Sequence, residues 1–81
     1  MRQHEILERL TPIFRDVFGK PGLTLTPQMS ARDIENWDSL NHVTLVMEVE
    51  REFGVRFALG ELQDLKNVEA LISLIEQKAR P

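Results

Sequence analysis

Trp37-Asp38-Ser39-Leu40-Asn41-His42-Val43-Thr44-Leu45-Val46-Met47-Glu48-Val49-Glu50-Arg51-Glu52-Phe53-Gly54-Val55 is the stretch that decides the fold. Advancing about 100° per residue from Leu40, the apolar side chains Leu45, Val46, Val49 and Phe53 fall between about 140° and 240°, one face of a helix. The pattern predicts a helix over Ser39–Phe53, with Asp38 as its N-cap and Gly54 as its stop. Leu40, Val43 and Met47 fall between about 300° and 0°. This second apolar stripe cannot be buried together with the first by one side of a small bundle, so it is expected to stay accessible. Ser39 opens the helix, where unpaired N–H groups and the positive end of the dipole suit a phosphate.

Upstream, Ile6, Leu7, Leu10, Ile13, Phe14, Val17 and Phe18 recur at three and four, predicting a first helix over Gln3–Phe18. Pro12 has no N–H for the Glu8 carbonyl, so a kink or a loosened first half is expected. Gly19, Pro21 and Gly22 end that helix. Residues 23–36 lack sustained periodicity and read as a long ordered loop with Leu23, Leu25, Met29 and Ile34 as inward anchors. Within it, Ser30-Ala31-Arg32-Asp33 has capping-motif spacing that allows one helical turn. Downstream, a short helix is predicted within 59–65. Asn67 caps a final helix ending near Lys78, with Val68, Leu71, Ile72 and Ile75 on its apolar face.

The fold class is therefore all-α, a small up-and-down bundle of three main helices plus one or two short helical turns. Leu7, Phe14, Leu45, Val49, Phe53, Phe57, Leu62, Val68, Leu71 and Ile72 read as core. At 81 residues and 42% hydrophobic content the chain allows one domain, 1–81, with one core. Absence of cysteine removes disulfides, thiolate metal sites and a cysteine nucleophile. Thirteen acids against ten bases, a net charge of −3, give no broad basic face for nucleic acid. No apolar run approaches a membrane span and the polar N-terminus is unlike a signal peptide, so a soluble cytoplasmic protein is expected.

Ser39, His42 and Asp38 invite a catalytic-triad reading. They crowd into five consecutive residues with no separate oxyanion hole, and His42 projects near 200°, in the core face, so it reads as a hydrogen-bonded packing residue. Neither His4 nor His42 sits in a metal-ligand pattern. No catalytic or metal residue is predicted. Trp37, the sole tryptophan, reads as packing the loop onto the bundle.

The run from Trp37 to Val55 resembles the phosphopantetheine attachment region of acyl carrier proteins, and Asn67-Val68-Glu69 begins the next helix in that family's order. The resemblance, which extends over nearly the whole chain, implies a free-standing, non-catalytic and monomeric carrier. It implies that Ser39 receives 4'-phosphopantetheine from coenzyme A through a Mg-dependent phosphopantetheinyl transferase. The thiol of that arm then holds an acyl group as a thioester for acyl-loading and acyl-transfer enzymes of fatty-acid, polyketide or related biosynthesis. Ser30 and Ser73 precede no comparable helix. Asp38 is implied to serve capping and transferase recognition, and some core positions to shelter the acyl chain.

On this reading Leu40, Val43 and Met47 are the apolar docking contacts, with Glu48 and Glu50 as an acidic rim and Glu52 beside Glu48. Acyl carrier proteins commonly carry more acids along this helix. Here Asn41, Thr44 and Arg51 depart from that pattern, which points to a partner set unlike that of a fatty-acid synthase carrier. A peptidyl or aminoacyl carrier uses the same arm, but more often has glycines before the serine. An unmodified helical interaction module is the reading from a different class.

Overall fold

Apolar side chains at spacings of three and four become buried stripes once the chain coils, and the computed structural model, which describes residues 2–63, 65 and 67–79, places them on three main helices and one short one. These are α1 (Gln3–Phe18), α2 (Ser39–Phe53), α3 (Leu59–Gln63) and α4 (Val68–Lys78). The helix α1 packs against both α2 and α4. Ile6, Leu10 and Phe14 of α1, Leu45 and Val49 of α2, and Val68, Leu71 and Ile75 of α4 form the centre of the core. Each fully buried side chain of this size contributes roughly 1.5–3 kcal/mol.

The helix α1 continues through Pro12 without interruption. Pro12 and Glu8 both lie on the exposed side of α1, so water can satisfy the Glu8 carbonyl that Pro12 leaves without a donor. Gly19 and Gly54 close α1 and α2 in the left-handed conformation, each with φ 65°. Beyond them Lys20 N–H donates to Arg15 O at 2.9 Å and Val55 N–H donates to Glu50 O at 3.2 Å, binding carbonyls of the last turns.

Leu7, Phe53 and Phe57, expected in the core, are half-buried against it instead. The side chain of Leu62 lies outside the described residues. The loop 23–36 is anchored as expected: Leu25 and Ile34 are buried, and Leu23 and Met29 pack on the core.

That loop also does something the pattern did not foretell. The carbonyls of Met29 and Pro27 accept the N–H groups of Val68 and Glu69, each at 2.9 Å, while Asn67 Oδ1 accepts from Ala70 N–H at 2.7 Å. Three of the four orphan amides of α4 are thereby satisfied, two of them by backbone about 40 residues earlier in the chain. Ser30 and Asn67 form an isolated antiparallel bridge at the same place. The turn at Ser30 is closed by Asp33, whose carboxylate accepts from Ser30 N–H at 3.0 Å and Ser30 Oγ at 3.3 Å.

Candidate functional site: the head of the second helix

The entry to α2 is set by Asn36, the only described non-glycine residue with positive φ, at 73°. Its carbonyl accepts from Asp38 N–H at 2.9 Å and from Asn41 Nδ2 at 2.8 Å, turning the chain sharply into the helix. Asp38 is the N-cap: its Oδ1 accepts from Asn41 N–H at 2.9 Å.

Trp37 is held on both sides. Its indole packs edge-on against Phe14 at 5.4 Å and at a tilt of 39° against Phe18 at 5.7 Å, which ties the loop to α1. Its Nε1–H donates to His42 Nδ1 at 3.0 Å. His42 is thus the hydrogen-bonded packing residue its projection indicated. With the Asp38 carboxylate on Asn41 N–H and His42 Nδ1 on Trp37, neither side chain is hydrogen-bonded to Ser39, and no triad is assembled.

Ser39, the first residue of α2, is exposed, and its hydroxyl has no hydrogen bond to a described residue. The amides of Ser39 and Leu40 likewise have no acceptor among the described residues, so two donors and the positive helix end stand beside the hydroxyl. Ser30 and Ser73 are half-buried, and Ser30 Oγ is engaged with Asp33 and with Arg32 N–H. A phosphodiester fits at Ser39: the oxygen is accessible, the amides are open, and nothing competes for them.

A cleft of about 690 Å³ opens beside Ser39, with Arg32 and Ala31 of the loop on one wall and Val43, Leu59 and Leu65 among its apolar lining. The second stripe of α2 is exposed, Leu40 by 76%, Val43 by 54% and Met47 by 62%. Leu59, the first residue of α3, adds a fourth exposed apolar side chain, at 75%. Periodicity could not have found it, because a five-residue helix has too few positions to establish a face.

The glutamates expected as a rim are partly committed to internal work. Glu50 Oε2 accepts from Phe57 N–H at 2.8 Å and so organises the segment after α2. Glu52 pairs with Arg9 at 2.8 Å, and that guanidinium also lies 4.6 Å from the centre of the Phe53 ring. Glu48 stands 4.0 Å from Arg51 and lines a groove between α1 and α2 together with Glu8 and Asp16. Arg51 follows Met47 along the exposed stripe, and its side chain is 83% exposed. The charge around the stripe is therefore mixed.

Residues 8–75 match the phosphopantetheine attachment site family. The chain is 36% identical to an acyl carrier protein from Thermosynechococcus vestitus over 78 residues, 96% of each chain. It is similar to a small part of a non-reducing polyketide synthase from Emericella nidulans, 32% identical over 72 residues that make up 89% of this chain and 3% of that one. The fold superimposes on the solution structure of a holo acyl carrier protein from Geobacter metallireducens with a TM-score of 0.82 and 50% identity, covering 89% of this chain and 83% of that chain. An open serine at a helix head, in this helical frame and with these relatives, has one consistent account: the chain belongs to the acyl carrier protein family, whose prosthetic group is phosphopantetheine.

Proposed function

We propose that this chain is a non-catalytic, monomeric, cytoplasmic carrier that holds acyl groups on a 4'-phosphopantetheine arm attached to Ser39. The observation that carries the reading is the exposed Ser39 hydroxyl at the head of α2, beside open amides and an exposed apolar stripe. In the loading reaction Ser39 Oγ attacks the phosphorus of coenzyme A that bears the pantetheine. An Oγ–P bond forms, the phosphoanhydride bond breaks, adenosine 3',5'-bisphosphate leaves, and the hydroxyl proton passes to a base of the transferase. When bound, the group supplies a terminal thiol that holds the cargo as a thioester.

The chain's own residues then position and present. Asp38 keeps the first turn of α2 closed and offers a carboxylate to the transferase. Leu40, Val43 and Met47 provide apolar docking area for the transferase and for acyl-loading and acyl-transfer enzymes, with Glu48 and Arg51 at its edge and Glu50 supporting it from behind. Likeness both to free-standing acyl carrier proteins and to part of a polyketide synthase supports an acyl cargo over an aminoacyl one.

The test is intact mass of wild type and Ser39→Ala after incubation with coenzyme A, Mg and a broad-specificity transferase. One phosphopantetheinyl group gained by wild type alone supports the reading. No gain in either, with a control carrier modified in parallel, sinks it in favour of an unmodified interaction module.

A further inference from the structure

Among the described residues that line the cleft beside Ser39, Arg32 carries a permanent positive charge, and nothing described neutralises it. Arg32 is exposed, and its guanidinium makes no hydrogen bond or ion pair with a described residue. The carboxylates nearest in sequence or in the cleft are occupied: Asp33 accepts from Ser30 N–H and Oγ, and Asp38 accepts from Asn41 N–H. The backbone that carries Arg32 is held in place. Its N–H donates to Ser30 Oγ at 3.3 Å, and the residues just before it, Pro27 and Met29, are hydrogen-bonded to the start of α4.

We propose that Arg32 is the residue that holds the phosphate of the arm on Ser39, clamping the root of the arm against the cleft. The inference rests on modification at Ser39. A phosphodiester there places a negative charge in the same cleft as a guanidinium, whose planar fork of donors matches two phosphate oxygens at once. Asp38, the carboxylate among the described residues of the cleft, would repel that phosphate, and Arg32 offsets it. With its root held between Arg32 and the open amides of α2, the arm runs along Val43, Leu59 and Leu65. Val43 and Leu59 are also exposed apolar groups that a docking enzyme would cover, so docking competes for the wall on which the arm lies.

The experiment compares apo and holo wild type with apo and holo Arg32→Gln, each holo sample first verified by intact mass. Arg32 is exposed and makes no hydrogen bond or ion pair through its guanidinium with a described residue, so the variant should fold as wild type does. The Arg32 Nε–Hε resonance should shift between apo and holo protein and return toward its apo position at high salt, while that of Arg56, exposed and outside the lining of this cleft, stays put. The ³¹P resonance should differ between holo wild type and holo Arg32→Gln, and contacts from the arm to Val43 and Leu59 should be lost in the variant. A mass-verified holo protein with an unmoved Arg32 Nε–Hε resonance overturns the clamp while leaving Ser39 modification standing. No mass gain overturns both.

Discussion

Trp37 and His42 are joined twice, by a 3.0 Å hydrogen bond from the indole Nε1–H to the imidazole Nδ1 and by stacking of the rings at 6.1 Å with 20° between their planes. The pair spans the entry to α2 and holds the loop's last residue against the first turn, on the core side of Ser39. Two substitutions separate its parts. Trp37→Phe removes the donor but keeps much of the packing on Phe14 and Phe18, and should lower unfolding free energy by about 1 kcal/mol. Trp37→Ala removes both and should cost about 3 kcal/mol. Urea titration followed by circular dichroism measures each, and an alanine variant as stable as wild type would show that the loop is held by other groups.

Asp38 performs two tasks that can be pulled apart, since asparagine caps as well as aspartate but carries no charge. Asp38→Asn should unfold within about 0.5 kcal/mol of wild type, while Asp38→Ala should lose about 1 kcal/mol. If the transferase reads the carboxylate, kcat/KM for modification of Asp38→Asn should fall by about tenfold, the effect of one lost charge contact. An unchanged rate would confine Asp38 to capping.

Met47 and Leu45 stand two residues apart on α2, one 62% exposed and the other 1%. Met47→Glu should leave stability within about 0.5 kcal/mol of wild type and slow transfer to or from a docking enzyme. Leu45→Glu should unfold the domain, because a carboxylate would be driven into a core with no partner for it. Loss of helical signal in Met47→Glu would place that side chain in the core.

Glu61 governs the acid limit of α3. Its carboxyl is held below its ordinary value of 4.5 chiefly by accepting from Ala58 N–H, and further by the Lys78 ammonium 2.9 Å away. A depressed folded value means that the unfolded state binds the proton more readily. The stabilisation is therefore present above about pH 4.5 and is lost as pH falls through the lower folded value. Glu61→Gln should flatten the acid side of the stability profile, with amide exchange at Ala58 faster than in wild type near neutral pH. If the stability difference between wild type and Glu61→Gln is the same above pH 4.5 as in stronger acid, the Ala58 and Lys78 contacts do not form in solution.

Much of this molecule could be read along the chain because its determinants are local. The bounds of α1 and α2 followed from apolar spacing and from the stops at Gly19 and Gly54, and Asp38 and Asn67 cap residues only three positions ahead of themselves. The accessible stripe at Leu40, Val43 and Met47 followed from the same geometry, since one helix in a small bundle cannot bury two faces. Ser39 was singled out by its place at a helix head together with the resemblance of the run from Trp37 to Val55 to the phosphopantetheine attachment region. Tertiary structure alone decided the rest. It set Arg9 on Glu52, Glu50 on the Phe57 amide and the Pro27 and Met29 carbonyls on the first turn of α4, and it put Arg32 in one cleft with Ser39. Helical periodicity says which face of each helix is turned inward. It does not say which polar groups from distant segments meet once those faces are packed, because that depends on how the helices and the loop are arranged in space.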